Sequence, residues 1–407
     1  MKARWAAVAA ALVLSSCQTQ FVGGWMPWWQ STSDRQAELN TISAAAPLMN
    51  EVSPFWYAAH GAAVDLLGNG TTLDNTVASL RAAGLKVIPS IVDGNGKGVM
   101  AGILADPAQR TAHVQTITNL VVAKGYDGID IDYEVFAFTD GRTSWPATKP
   151  NWISFVTELG AALHAQGKLL SVTVPPVWND GAAGYTVYAQ PEIIPIVDRL
   201  RLMVYDWTVS AASAGPVAPM FWVDSVIAYT NSITPAGQRS KLQLGVPAYG
   251  RHWALNSGAI CPDGARFVDS VTMEEAGRLA ATKGLAPVRA NATGSVPRTQ
   301  AWGEMKFTWT EVVSGPRAAT PAPTYTPPAT QVGQVNGTSD PALTPAVRLN
   351  PPSGYVTCTI THVVYYSDEY AIRERAELAL ANGWEGIYIW ALGYENTNTW
   401  TVLSQIP

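Results

Sequence analysis

Eight short apolar or β-branched runs, separated by helix-length amphipathic stretches, constrain this chain more than any other feature of its 407 residues. The runs are Val22–Trp29, Val52–Tyr57, Lys86–Val92, Asp127–Glu134, Leu169–Pro175, Arg201–Trp207, Leu242–Tyr249 and Gly386–Leu392. Between them lie the helical candidates Asp34–Met49, Leu73–Ala83, Pro107–Ala123, Trp152–Ala165, Phe221–Asn231 and Glu369–Ala381. The fifth and sixth runs are joined by only a short helix around Glu192–Val197. Repeated strand–helix alternation makes a parallel sheet with crossover helices, and eight repeats is the count that closes a barrel. The expected fold is therefore α/β, a (β/α)8 TIM barrel. An open doubly wound sheet is the alternative, and the first run is not followed by the glycine-rich dinucleotide fingerprint that would favour it.

About 135 residues separate the seventh run from the eighth, far more than one crossover needs. An α+β insertion is expected over Arg251–Tyr366, with strand-like pieces at Lys306–Trp309 and His362–Tyr366 and a helix at Met273–Thr282. Its Pro/Thr/Ala-rich stretch, Ala318 to Pro352, reads as an exposed loop because that composition buries little apolar surface. The barrel is then expected over 17–250 and 367–407.

The N-terminus reads as a leader, 1–16. Lys2 and Arg4 precede an apolar run from Trp5 to Leu14, followed by Ser15 and Ser16. That layout is secretory, and the run is too short to span a bilayer permanently. Leu14-Ser15-Ser16-Cys17 resembles a bacterial lipobox, which implies lipid attachment at Cys17 and a chain exported and anchored to a membrane. Simple secretion, with Cys17 incidental, is the alternative. Setting Cys17 aside leaves Cys261 and Cys358, near the two ends of the insertion, and a disulfide between them is expected in an exported chain. A formal net charge of −5 gives no reason to expect nucleic acid as a partner.

The fourth run carries the chemistry. It reads Asp127-Gly128-Ile129-Asp130-Ile131-Asp132-Tyr133-Glu134, and strand side chains alternate faces, so Asp130, Asp132 and Glu134 point the same way. Ile129, Ile131 and Tyr133 face the helices. Carboxylates crowded inside a barrel share protons or hydrogen bonds, and crowding raises the proton affinity of at least one, which supplies a carboxylic acid near neutral pH. Glycoside cleavage needs such an acid. Glu134 falls at the carboxyl end of its strand, where barrel enzymes place their sites. A metal cluster or a passive structural role is the competing reading. The five histidines, His60, His113, His164, His252 and His362, have no ligand spacing, so no metal and no cofactor are expected.

Asp127 to Glu134 resembles the D-G-x-D-x-D-x-E signature of glycoside hydrolase family 18, the chitinases and their relatives. Met203-Val204-Tyr205-Asp206 is similar to that family's M-x-Y-D, Pro247-Ala248-Tyr249-Gly250-Arg251 to its P-x-Y-G-R, and Trp390 falls where the eighth strand supplies an aromatic floor. The insertion resembles one that many members carry. The resemblance implies a retaining, substrate-assisted mechanism without an enzyme nucleophile. In it Glu134 is the general acid and base, Asp132 holds the acetamido group of the substrate, Tyr205 donates to the acetamido oxygen, and Asp130 tunes Asp132. It further implies sugar contacts from Trp390, Asp206, Met203, Arg251 and Tyr249. Trp25, Trp28 and Trp29 near the first strand and Trp178 after the fifth are candidates for stacking on sugar rings, Trp25 among the expected contacts. Tyr133 departs from the Trp common in chitinases, on the face turned away from the chemistry.

The expected partner is a glycan containing N-acetylglucosamine, either chitin, a chitooligosaccharide or peptidoglycan, cleaved at β-1,4 bonds. An endo-N-acetylglucosaminidase of glycoprotein glycans and a non-catalytic carbohydrate-binding lectin are the alternatives.

Overall fold

The structure is a computed structural model that describes residues 20–209, 214–256, 266–290, 303–316 and 355–406. Cys17, Cys261, the expected leader and the Pro/Thr/Ala-rich stretch lie outside the described residues.

Eight parallel strands close a barrel. They are β1 (Phe21–Pro27), β2 (Glu51–His60), β3 (Ser90–Asp93), β4 (Gly128–Asp132), β5 (Leu169–Val174), β6 (Arg199–Met203), β7 (Leu242–Pro247) and β8 (Gly386–Trp390). Each pairs with the next, and β8 pairs back onto β1. The outward residues of these strands, such as Ile129 and Ile131, are fully buried beneath the surrounding helices in one continuous apolar cluster.

Local sequence sets the approach to β4. The helix α1 (Pro107–Lys124) starts on Asp106, whose carboxylate accepts from the Ala108 and Gln109 amides, with Pro107 at its first position. It ends at Gly125, whose φ of 64° closes the helix and turns the chain into the strand. Gly128 opens the strand pressed against the Leu169 carbonyl, and any side chain there would collide with it. On the outer side Tyr133 packs against His113 and Phe155, which also touch each other, and its hydroxyl lies 2.7 Å from His113 Nε2. Burial holds the His113 pKa below its ordinary value.

The insertion is a five-stranded, largely antiparallel sheet that packs one helix, Met273–Thr282, over Val271, Phe307, Val364 and Tyr366. A capping box between Thr272 and Glu275 starts that helix. The sheet begins with the strand Tyr249–Asn256, two residues before the expected boundary, because Tyr249 and Gly250 already pair with Thr272 and Val271. Its two long strands, Met305–Pro316 and Tyr355–Tyr366, extend well beyond the pieces read from sequence, and Cys358 lies on the second. The first barrel-bound helix after it, Glu369–Ala381, has the expected bounds. Among the described residues, no helix is long and apolar enough to cross a membrane.

Candidate active site

The carboxyl ends of the strands surround a cavity of about 290 Å³. Asp132 and Glu134 enter it from β4 and the turn beyond. Met203 reaches it from the end of β6, Tyr205 and Asp206 from the segment just beyond, Trp390 from β8, and Trp25 and Trp29 from β1 and its following loop. Aromatic rings make most of the wall. Tyr205 and Trp390 lie nearly parallel, 6.5 Å apart, and Phe55 meets Trp390 edge-on at 5.0 Å.

The backbone under Glu134 is held from two sides. Its carbonyl accepts from the Ala137 and Phe138 amides at 3.0 and 2.9 Å, and the preceding Tyr133 carbonyl accepts from the Tyr188 hydroxyl at 2.8 Å. Burial, and after it the negative charge of Asp206, pushes the Glu134 carboxyl up to about 7. Asp132 is 3% exposed, and its Oδ1 has no hydrogen-bond partner. Burial first, then Glu134, then Asp130, hold its carboxyl well above the usual carboxylate range. Two carboxyls that resist ionisation, set in an aromatic cavity open to solvent, make a site suited to proton transfer.

Asp206 is shaped by its neighbours. Its φ of 65° is a left-handed conformation uncommon for a residue with a side chain. Tyr249 donates to its carboxylate, and Arg251 Nη2 lies 2.7 Å from the same oxygen. The first strand of the insertion therefore braces a cavity residue from behind.

Deeper in the barrel lies Asp130, fully buried. The strand register sets it level with Ser90 on β3 and Ser171 on β5, and both hydroxyls donate to it at 2.7 Å. Among the described residues, no group of three or more His, Cys, Asp or Glu side chains is arranged to hold a metal.

The sequence profile of the glycosyl hydrolases family 18 matches residues 57–395. This chain belongs to that family. Its barrel is the one expected of that family. YdhD of Bacillus subtilis (strain 168), named for a sporulation-specific glycosylase, is 28% identical over 217 residues, 53% of this chain and 49% of YdhD. The chain thus spans about half the length of that relative. A chitinase from Chromobacterium violaceum has the same fold, with a TM-score of 0.66 at 21% identity over 95% of this chain and 98% of that one. So does a catalytic domain of a Group II chitinase from Ostrinia furnacalis, crystallised as a mutant with penta-N-acetylchitooctaose. Its TM-score is 0.64 at 18% identity, over 93% of this chain and 90% of that one.

Of the residues singled out from sequence, Glu134, Asp132, Tyr205, Met203, Asp206, Trp390 and Trp25 meet at one cavity, joined by Trp29 and Trp178. Trp28 is 38% exposed and stands edge-on to Trp29. Tyr249 and Arg251 do not line the cavity, because both are drawn onto Asp206, and Arg251 also donates to the Thr208 carbonyl. Trp25 is 1% exposed and spends its indole N–H on Asp130, so it forms wall more than sugar platform. Sequence reasoning missed Phe55, Phe138, Tyr185 and Trp222. Phe55 was accessible to it, since Ser53 and Phe55 alternate inward on β2. The other three sit on loops and helices whose reach no periodicity reveals.

Proposed function

We propose that this chain is a glycosidase that hydrolyses β-1,4 bonds of N-acetylglucosamine-containing glycans, chitooligosaccharides or peptidoglycan strands, with retention and by participation of the substrate's own acetamido group. One observation carries the reading: an acid poised near pH 7, Glu134, beside a buried aspartate oxygen without a partner, Asp132 Oδ1. Glu134 gives its proton to the leaving glycosidic oxygen. The acetamido oxygen bonds to the anomeric carbon as the carbon–oxygen bond breaks, forming an oxazolinium ion. Asp132 Oδ1 accepts the amide N–H, and the Tyr205 hydroxyl donates to the acetamido oxygen. Glu134, now a base, takes a proton from water, which opens the ring and restores the acid. Trp390 stacks beneath the reacting sugar, and Asp206 receives a hydroxyl. The chitooligosaccharide bound by the Ostrinia furnacalis chitinase domain supports the choice of sugar.

The proposed setting is the cell envelope. The leader exports the chain, lipid on Cys17 anchors it, and so short a tether favours wall glycan or imported oligosaccharide over crystalline chitin. A Cys261–Cys358 bridge closes the insertion, supported by Cys358 being disulfide-bonded. Mass spectrometry of the mature N-terminus tests the anchor, and a non-reducing peptide map tests the bridge.

The deciding experiment compares the protein with Glu134→Gln on chitin oligosaccharides and on purified peptidoglycan. Cleavage that the variant abolishes supports the acid and chooses the polymer. Binding without cleavage by both proteins replaces the hydrolase with a lectin.

A further inference from the structure

Below the cavity, the barrel encloses a cation. Arg201, on β6, is completely buried, with Nη2 2.5 Å from Glu51 Oε1 and Nη1 3.1 Å from Asp130 Oδ2. Its Nη1 also donates to Ser53 at 2.7 Å, its Nε donates to Gln243 at 2.9 Å, and its carbon sits 3.7 Å from the centre of the Tyr388 ring. A guanidinium here costs several kcal/mol in desolvation and is tolerated only because two carboxylates and a full set of acceptors surround it.

Asp130 is the partner with consequences. Besides Arg201 it receives the Trp25 indole N–H at 3.1 Å, Ser90 and Ser171 at 2.7 Å, and Thr173 at 3.0 Å to each oxygen. Indole and guanidinium nitrogens donate and never accept, and both meet Asp130 Oδ2, so a proton on that oxygen would have to displace one of them, while a proton on Oδ1 would have to reverse the Ser171 or Thr173 hydroxyl that now donates to it. Asp132, one step up the same strand face, has an oxygen with no partner. The charged and titratable groups acting on Arg201 are Glu51, Asp130, Tyr388, Glu385 and Asp132, and those acting on Asp132 are Glu134, Asp130 and Arg201.

We propose that Arg201 is a positioning residue: by holding Asp130 as an anion, it assigns the resting proton of the strand's aspartates to Asp132. Asp132 then keeps that proton beside Glu134 and still offers Oδ1 to the substrate amide. This rests on the reading of Asp132 and Glu134 given above.

Arg201→Met alone would strand Glu51, so the test uses Arg201→Met with Glu51→Gln. Arg201→Gln with Glu51→Gln, which keeps a polar chain to Ser53 and Gln243, is the second variant if methionine packs badly. Infrared spectra of protein labelled at its aspartate carboxyl carbons, taken near neutral pH, show where the proton lies. In the wild type, the protonated-aspartate band is expected to vanish with Asp132→Asn. In the Arg201 background it should survive Asp132→Asn and vanish with Asp130→Asn. On chitin oligosaccharide, kcat should fall about tenfold or more while KM stays within about twofold, and the pH profile of kcat/KM should move by about one unit or more. Arg201→Lys, which keeps the charge, should leave the band on Asp132. A band that follows Asp132 in every background overturns the proposal, as does a lowered Tm with band and pH profile unchanged. If wild type and Glu134→Gln alike cleave no glycan, the hydrolase reading falls. The infrared band, which needs no turnover, still decides the role of Arg201.

Discussion

Asp130 at the floor of the barrel and Asp132 at its mouth stand two residues apart on one strand, and they are treated oppositely. At the floor, Asp130 is wrapped by five donor groups from four strands, while its neighbour Glu51 meets the same guanidinium through Oε1 alone. At the mouth, Asp132 keeps an unpartnered oxygen, and Glu134 sits in a partly open cavity with its carboxyl pushed up to about 7. Buried polar groups that are fully satisfied build a fold. Those left wanting are available for chemistry, and the fold bears their cost.

That contrast breaks if mutations at the two levels act alike. The largest expected effect is at the mouth: Glu134→Gln should lower kcat by about 10²–10⁴-fold with little change in urea midpoint at pH 5, measured by oligosaccharide hydrolysis and equilibrium unfolding. At the floor, Asp130→Ala leaves a buried guanidinium short of a partner and should cost about 3–5 kcal/mol in urea unfolding. A floor variant with undiminished stability would end the distinction.

Between these lies a pH test. Burial raises the Glu134 carboxyl from 4.5 to about 7, so the folded state binds this proton more tightly than the unfolded chain. Its contribution is complete below the unfolded value and is lost as pH rises through the folded one. Glu134→Gln should therefore be the more stable protein at pH 8, by about 1–3 kcal/mol, and not at pH 4. The kcat/KM of the wild type should decline above about pH 7. Tyr205→Phe, which removes the donor proposed for the acetamido oxygen, should lower kcat about tenfold to a hundredfold. Tyr133→Phe tests the outer face of the same strand. Losing the hydroxyl that meets His113 should cost about 1 kcal/mol of stability and leave kcat within about twofold, and a larger kinetic loss would show the outer face steering Glu134.

The mouth was more legible in the sequence than the floor. Asp132 and Glu134 announce themselves by spacing on one strand, with Asp130 the one floor residue in the same pattern, and the strand–helix rhythm places that strand in a barrel. The floor is assembled from single residues on separate strands, Glu51, Ser90, Ser171, Arg201 and Gln243, and only strand register brings them level. One signal was present. Arg201, Met203 and Tyr205 alternate with Leu200, Leu202 and Val204, so an inward Tyr205 implies an inward arginine. Charge in a strand reads ordinarily as surface, and nothing local reveals that Asp130 and Glu51 await it. Tyr249 and Arg251 were expected at the sugar because their motif resembles the family's P-x-Y-G-R. Asp206, with its left-handed backbone, needs them first.

Because Glu134 takes no part in the interlocked floor, this barrel has separable fates for its two properties. A lineage can exchange that one acid, keep every contact that makes the molecule cohere, and retain an aromatic cleft shaped for sugar. Catalysis in such a scaffold is easily shed and the capacity to hold a glycan is not, so sugar-binding descendants lie a single substitution away.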